Sequence, residues 1–508
     1  MGRRFWRRAT AAAVLSLAAA LGPGAAAAGA FDPVYELKDY SKTTERARIY
    51  STPEYQAKLR VISLQNRIDA MTAAAKDPER NFLLHLCATG EDGCAGDVRL
   101  YDWGPKGYGI VRPVLFTARN GATLSGHIWA TRSGPARRPG IVITNGSVQA
   151  NEQLYWFVAQ TLAKDGYVVM TFDPQGQGQS DDFGEGADRN EGFPAQSDGR
   201  PFFDGTEDAI NFFLSDAKHP YEPVPSCSTG TSHAAKQNRR VAAGLDAPYN
   251  PLGGMVNKNR LGLAGHSYGA AGVSYIGQWD PRVDAVVAWD NLGGTDPNAA
   301  GGTAGTPREQ PCPADPSQRT VVPITKPALG MSADYFLPPT PNTSQPNPET
   351  KTSRSVEYSA AGVDSGELII RGGSHLDFSW IPNPGFGATL RGADMIDWYT
   401  SAWFDKYVKG DPSADARLLS TRWFDDPQEK AVDPFGDGNM FSQYYRSRLD
   451  VTLAGGSRFD CEDIRPDAMR PNPPSTWPNN TCSGWVPQAQ DGWPGTYDYV
   501  KIDTSPDS

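Results

Sequence analysis

Short apolar runs alternate with helical patterns along the chain between residues 140 and 408. Residues 140–144, GIVIT, are too short for a helix, and residues 153–166 then carry an apolar stripe at helical spacing that ends at a glycine. Further apolar runs follow at residues 167–173, 260–265, 283–290, 326–331 and 367–372. This order predicts an α/β protein with a mostly parallel central sheet and helices on both of its faces.

Two other patterns precede this alternation. Apolar runs on either side of Asn120-Gly121 predict a β-hairpin near the start of the main domain, which we place at residues 107–408. Residues 31–106 carry helical patterning and are assigned to an N-terminal helical extension. The apolar residues expected on one face of its longest helix are Leu59, Ile62, Leu64, Ile68 and Met71.

The two ends of the chain have compositions of their own. Residues 409–508 are rich in proline and tryptophan and predict an irregular C-terminal extension. Residues 1–30 have four arginines, a short apolar stretch and an Ala28-Gly29-Ala30 cleavage site, which is the pattern of a secretory signal. The apolar stretch is too short to span about 30 Å of hydrocarbon, so we expect a secreted protein without a membrane span.

Secretion changes the interpretation of the cysteines. The six cysteines all follow the predicted signal and are even in number, which predicts three disulfides. Proximity in the sequence favours the pairs Cys87–Cys94 and Cys461–Cys482, which leaves Cys227 to pair with Cys312. No cysteine or histidine grouping has the spacing of a zinc site, so neither a metal nor a cofactor is expected.

The charge of the chain bears on its partners. The formal net charge is −10, and removal of the arginine-rich signal makes it more negative. No basic stripe is present that could displace counterions from phosphates, so a nucleic-acid partner is not expected.

A serine lies where one of the apolar runs meets a helical segment. Gly265-His266-Ser267-Tyr268-Gly269 fits the pattern G-x-S-x-G, in which glycines allow a strand to reverse sharply and expose the serine hydroxyl group. A serine needs a neighbouring base, usually a histidine oriented by a carboxylate, to act as a nucleophile near neutral pH. Ser267 is therefore the candidate nucleophile.

The candidate base is His375, which directly follows the last apolar run of the sheet. The other histidines lie in the helical extension, the hairpin, a loop insertion or the serine turn itself, where packing roles are expected. For the acid, Asp334 lies just past the preceding apolar run, and Asp290, at the end of the run before that, is the alternative. We predict Asp334 as the acid.

These motifs resemble those of the serine hydrolases of the α/β-hydrolase superfamily over residues 107–408. RLGLAGHSYGAAG and LIIRGGSH are closest to the dienelactone hydrolase and bacterial cutinase-like branch, and the chain order serine, aspartate, histidine matches. DPQGQGQSD is similar to a glycine-rich turn of the superfamily, with Gln175 in place of its arginine. The resemblance implies an α/β-hydrolase fold and no catalytic role for that turn.

The resemblance also implies an oxyanion hole built from two backbone N–H groups. Tyr268, directly after the nucleophile, is expected to donate one of them. The other is expected from the loop after the first parallel strand, where Ser147 and Val148 are the alternatives and we predict Ser147.

The expected function is hydrolysis of carboxylic esters of a small-molecule or polymeric substrate. Aromatic side chains that could line the site, or alternatively fill the core, are Tyr155, Trp156, Tyr335, Phe336 and Trp380. A peptidase or amidase on the same fold is the first alternative, with Glu185, Asp188 or Glu191 as possible amine-binding groups. A non-catalytic binding protein is the second.

Overall fold

The computed structural model describes residues 31–41, 43, 50–82, 95–104, 107, 109–147, 151–195, 199–290, 292–295, 322–382, 387–420, 440–464 and 482. Its helices are α1 (Pro33–Ser41), α2 (Pro53–Lys76), α3 (Trp156–Lys164), α4 (Arg200–Phe213), α5 (Ala234–Ala242), α6 (Tyr268–Trp279), α7 (Ser353–Ala360), α8 (Leu390–Phe404) and α9 (Ala414–Leu418). Its strands are β1 (Gly109–Thr117), β2 (Thr123–Thr131), β3 (Arg138–Thr144), β4 (Val168–Asp173), β5 (Val256–His266), β6 (Ala285–Trp289), β7 (Ala328–Tyr335), β8 (Ser365–Ser374), β9 (Arg448–Thr452) and β10 (Arg458–Cys461).

All ten strands form one sheet in the order β1-β2-β4-β3-β5-β6-β7-β8-β9-β10. The pairs from β4 through β8 are parallel, and the pairs at both ends of the sheet are antiparallel. The six predicted parallel strands and the predicted hairpin are therefore confirmed. The hairpin strands β1 and β2 join through the Asn120-Gly121 turn, and Gly121 has the positive φ that such a turn requires.

Helices cover both faces of the sheet, as the sequence predicts. Because side chains alternate along each strand, Ile141 and Ile143 of β3 face one core and Val142 faces the other. The first core contains α3 and α8, and the second contains α4 and α6. Both cores are built from fully buried aliphatic and aromatic side chains, which is the main source of stabilisation for a sheet of this size.

The prediction of which apolar residues of α2 are buried is wrong in part. Leu59 and Ile62 are buried with Tyr55, but Leu64, Ile68 and Met71 are exposed. Helix α2 packs on the domain along a stripe that passes through Tyr55, whose ring contacts Tyr50. The exposed apolar side chains lie on the opposite side of the helix.

Two strands lie in the region for which the sequence predicts irregular structure. Strand β9 pairs with β8 and β10 pairs with β9, so they extend the sheet by two strands. Leu449, Val451 and Phe459 bury their side chains there. The apolar alternation that marks these strands covers only four or five residues in a proline-rich stretch, which is too short to separate from a loop.

One predicted disulfide is confirmed, since Cys461 at the end of β10 is bonded to Cys482. Cys227 is also disulfide-bonded. Cys87, Cys94 and Cys312, and with them the other two predicted pairings, lie outside the described residues, as does the predicted signal at residues 1–30. No helix in the described part of the chain combines the length and the apolar character needed to cross a membrane.

Candidate active site

Ser267 occupies a strained turn between β5 and α6. Its backbone has φ 57° and ψ −118°, a conformation that non-glycine residues rarely adopt. Glycines flank it for steric reasons, because a Cβ at Gly265 would lie 2.5 Å from the carbonyl oxygen of Gly269. A Cβ at Gly269 would lie 2.3 Å from the carbonyl oxygen of Asn145. The G-x-S-x-G residues therefore form the sharp strand-to-helix turn that presents a serine side chain at the end of a strand.

His375 follows β8 and is held by a local network. It begins a single helical turn, His375–Phe378, which is capped by reciprocal hydrogen bonds between Ser374 and Asp377. Asp377 also accepts a hydrogen bond from the backbone N–H of Thr389, at 2.7 Å, just before α8. His375 as a whole is 8% exposed. Strand β8 and helix α8 together fix where this side chain lies.

Asp290 is the carboxylate that contacts the histidine. It is the first residue after β6, has a positive φ of 51°, and accepts a hydrogen bond from Nδ1 of His375. Burial acts to raise the pKa of the Asp290 carboxyl, but the charge and hydrogen bond of His375, together with the smaller effects of Lys351 and His266, outweigh burial and the pKa is lowered. The ionised carboxylate thus holds the proton on Nδ1 and leaves Nε2 of His375 free to accept one.

Ser267 and His375 are brought to the same edge of the sheet. The backbone N–H of Ser267 donates to the carbonyl oxygen of Trp289, the residue before Asp290, at 3.0 Å. His266, directly before the serine, has its ring 4.5 Å from the ring of His375. The described residues contain no hydrogen bond from the Ser267 hydroxyl group to His375, and such bonds are often long until a substrate is bound.

The structure does not bring Asp334 to His375. Asp334 lies within β7, which continues to Tyr335, and its Oδ2 accepts from the backbone N–H of Gly372 at 2.7 Å. Burial, and then the nearby Asp39, raise the pKa of Asp334 well above its usual range. The alternative acid, Asp290, occupies the position that Asp334 was predicted to fill. The sequence does carry a signal for Asp290, because this residue lies at the end of the apolar run at residues 283–290.

Two backbone positions are candidates for an oxyanion hole. The N–H of Tyr268 lies in the first turn of α6, where helical N–H groups have no partner within the helix. Across from it, Gly146 lies against the serine, since a Cβ at Gly146 would be 3.1 Å from Cβ of Ser267. The Gly146 N–H donates to the Tyr155 hydroxyl oxygen at 3.0 Å, so it is already engaged. The next N–H in this loop belongs to Ser147, and Val148 lies outside the described residues.

A buried chain of hydrogen bonds links this loop to the histidine. The Tyr155 hydroxyl group, which accepts from Gly146, lies 2.8 Å from Nδ1 of His266, and Nε2 of His266 lies 2.9 Å from the carbonyl oxygen of His375. A carbonyl oxygen can only accept, so His266 carries its proton on Nε2 and accepts from Tyr155. Burial, and then His375, hold the pKa of His266 well below its usual range, which keeps it neutral. His266 is thus a positioning group.

Searches of protein-family models and of curated proteins found no match to the chain. What the site does chemically therefore rests on its geometry.

Removing the Tyr155 hydroxyl group tests the hydrogen-bond chain. We expect Tyr155→Phe to lower the free energy of unfolding by about 2–5 kcal/mol, because it leaves two buried groups, the Gly146 N–H and Nδ1 of His266, without partners. Tyr221→Phe is the matched control, since that buried hydroxyl group donates only to the carbonyl oxygen of Thr117. Urea unfolding with the disulfides intact measures both. An equal loss in the two variants would show that Tyr155 does not bridge the two groups.

The predicted aromatic lining is mostly core. Tyr155, Trp156, Tyr335 and Trp380 are buried, whereas Phe336 is exposed and its ring lies 5.0 Å from the ring of His375. Of the five aromatic residues considered from the sequence, Phe336 is the one that the structure places both at the histidine and in contact with solvent.

The remaining described histidines have local partners. Nδ1 of His127 bonds to Glu152, and Nε2 of His233 bonds to Asp188 at 2.9 Å. His219 is on the surface beside Asp216. His85 lies outside the described residues. None of the three described side chains is placed at Ser267.

The glycine-rich turn after β4 supports the site without contacting it. Asp173 accepts from Asn145 and from the backbone N–H of Glu152, each at 2.8 Å, and burial raises the pKa of Asp173 to about 7. Gly178 is required here, because a Cβ would lie 2.2 Å from the Asp173 carboxyl group. The turn therefore fixes the loop after β3, which carries Gly146.

One cluster among the described residues groups possible metal ligands. Glu191, Asp204 and Cys227 have ligand atoms within 4.8 Å of one another. Cys227 is disulfide-bonded and offers no thiolate, and Arg200 pairs with Glu191. Arg119 lies beside Asp204 and Asp208 as well. Cations of the protein already occupy this cluster, which does not suit a metal ion.

Proposed function

We propose that the protein is a serine hydrolase of the α/β-hydrolase fold that cleaves carboxylic esters, with Ser267 as nucleophile, His375 as base and Asp290 as acid. The observation that carries this proposal is the strained turn of Ser267 beside the His375–Asp290 pair, all at one edge of the sheet. The strand order and the antiparallel β2 support the fold assignment.

The first half of the reaction follows from the positions of these groups. The Ser267 hydroxyl oxygen attacks the ester carbonyl carbon while Nε2 of His375 takes the hydroxyl proton. The resulting imidazolium is stabilised by the Asp290 carboxylate. The N–H groups of Tyr268 and Ser147 are proposed to donate to the oxygen that becomes negative, which lowers the barrier by a few kcal/mol.

The second half completes hydrolysis. His375 gives its proton to the leaving alcohol oxygen as the carbon–oxygen bond breaks, and an acyl group remains on Ser267. A water molecule then gives its proton to Nε2 of His375 and attacks the acyl carbon. This attack forms a tetrahedral intermediate. When the bond between its carbon and the Ser267 oxygen breaks, His375 returns the proton to Ser267 and the carboxylic acid is released.

Ester substrates are favoured over peptides because the carboxylates that could bind a peptide amine, Glu185, Asp188 and Glu191, already contact other side chains of the protein. Asp188 accepts from Ser226 and Thr229 and contacts His233, and Glu191 pairs with Arg200. Two of the three carboxylates considered as alternative binding groups for a peptide amine thus have partners within the protein. Glu185 is more exposed, but it lies beside His233 and Arg239.

Export is also proposed. The N-terminal pattern of residues 1–30 predicts a secretory signal, and the Cys461–Cys482 disulfide is of the kind that persists outside the reducing cytosol.

A panel of substrates tests the proposed reaction. We expect the mature protein to hydrolyse p-nitrophenyl esters from acetate to long acyl chains, with little turnover of the matching aminoacyl p-nitroanilides. A fluorophosphonate should label one equivalent of protein at the peptide that contains Ser267, as shown by mass spectrometry. Turnover of the anilides alone would favour the peptidase, and turnover of neither with no labelling would favour a binding protein.

A further inference from the structure

Phe336 is an exposed aromatic side chain at a site where most aromatic side chains are buried. It is 68% exposed, and its neighbour Leu337 is 43% exposed. Its ring contacts the ring of His375, which also contacts the buried ring of His266. A phenyl ring with this exposure gains only part of the free energy of burial, and the part that is covered lies against the candidate base.

The reaction chemistry fixes which part of an ester passes this ring. His375 must protonate the leaving alcohol oxygen, so the alcohol part of the substrate lies beside the histidine when the bond breaks. The acyl part is bonded to Ser267 and has its carbonyl oxygen directed to Tyr268. A ring in contact with His375 and open to solvent is therefore placed next to the alcohol part and not next to the acyl chain.

One carboxylate binds both ends of the segment that carries Phe336. Glu36 of α1 is buried, and its Oε1 accepts from the Tyr335 hydroxyl group at 3.0 Å and from the backbone N–H of Asn342 at 2.6 Å. These two donors are the first and last residues of segment 335–342. Between them, the hydroxyl group of Tyr40, also on α1, donates to the carbonyl oxygen of Pro339 at 3.0 Å.

Helix α1 also contacts β8, the strand that precedes His375. Asp39 forms a 3.1 Å ion pair with Arg371 of β8, and both side chains are buried. The other oxygen of Glu36 accepts from the Tyr444 hydroxyl group. One helix thus binds both the segment 335–342 and β8, so the distance between Phe336 and His375 is set by contacts outside the site.

We propose that Phe336 forms the subsite for the alcohol part of the substrate, that the preferred substrates are esters of apolar or aromatic alcohols, and that Glu36 positions Phe336 for this role. The proposal rests on the ester hydrolysis proposed above. Phe336 is a specificity-determining residue, and Glu36 acts through it.

Two ester series separate the alcohol and acyl sides. With acetate as the fixed acyl group, we expect Phe336→Ala to lower kcat/KM for benzyl acetate at least about 10-fold and to change that for ethyl acetate less than about twofold. With ethanol as the fixed alcohol, the acyl-chain profile should stay that of the wild type. Phe336→Leu, which keeps an apolar side chain, should recover part of the loss. Phe336 is exposed, so these variants are expected to fold.

The role of Glu36 is tested by comparing single and double variants of Glu36 and Phe336. Glu36→Ala should lower the benzyl-to-ethyl selectivity in the same direction, and the double variant Glu36→Ala/Phe336→Ala should be no less selective than Phe336→Ala alone. Glu54→Ala is the control, because that glutamate begins α2 and is exposed. Tyr40→Phe, which removes only the bond to Pro339, gives a second test that does not depend on a buried carboxylate.

The outcomes are distinct. Equal losses on benzyl and ethyl acetate in Phe336→Ala, or a change confined to the acyl series, would overturn the alcohol subsite. Additive selectivity losses in the double variant, or unchanged selectivity in both Glu36→Ala and Tyr40→Phe, would overturn the positioning role. Failure of the wild-type protein to hydrolyse any ester would instead remove the proposed function, together with what depends on it.

Discussion

Ser267→Ala is expected to lower kcat for the best ester substrate at least about 10⁴-fold, because the acyl-enzyme can no longer form. The fold should survive, since alanine removes one hydroxyl group from a half-buried position and leaves the backbone of the turn unchanged. Initial rates with p-nitrophenyl esters measure the loss, and circular dichroism with thermal unfolding reports the fold.

Ser274→Ala is the matched control for this experiment. Ser274 lies about two helical turns further along the chain, within α6, where its hydroxyl group donates to the carbonyl oxygen of Ala270 and accepts from the N–H of Gly293. The substitution also removes one serine hydroxyl oxygen, but from the interior of α6, so it should cost stability and leave kcat within a few fold. Retention of most activity by Ser267→Ala would refute the serine mechanism.

Asp290→Asn is expected to lower kcat about 10⁴-fold near neutral pH, because an amide can donate to Nδ1 of His375 and hold the wrong tautomer. Asp334→Asn should have a small effect on kcat. Burial and the nearby Asp39 raise the pKa of Asp334 well above its usual range, which favours the neutral carboxyl group, and an amide resembles that form. The two variants measured side by side, with kcat followed over the neutral and alkaline range, identify the acid.

The opposite ranking would return the assignment to Asp334. It would require His375 to exchange its present hydrogen bond with Asp290 for one with Asp334, which now accepts from Gly372. Comparable large losses in both variants, with intact folding, would mean that both carboxylates act on the histidine.

The features that the sequence predicts correctly are local ones. The β3 run GIVIT, the β4 run YVVMTFD and the hairpin turn at Asn120-Gly121 each carry their signal within about ten residues. The turn at Ser267 is equally local, because its glycines are adjacent in sequence to the serine that they accommodate. Such patterns depend on backbone sterics and alternate burial, and both can be assessed without knowing the rest of the fold.

The features that could not be predicted depend on residues far apart in the chain. Whether Asp290 or Asp334 reaches His375 depends on where β6 and β7 end, a difference of a few residues at element boundaries. Glu36 accepts hydrogen bonds from Tyr335 and Asn342, which lie about three hundred residues later in the chain. Nothing near Glu36 in the sequence indicates these contacts. The role of His266 is likewise fixed by Tyr155 and by a backbone carbonyl group, which only the folded chain brings together.

The two outermost strands give the sheet a property that its interior strands lack. Strand β1 exposes Arg112 and Pro113, and a proline has no N–H group to offer another strand. Strand β10 has four residues, shows Arg458 and Asp460 to solvent, and ends at a cystine. Charged, short or proline-containing border strands discourage recruitment of β-structure from other molecules. A ten-strand sheet with such borders is protected from edge-to-edge aggregation at both sides.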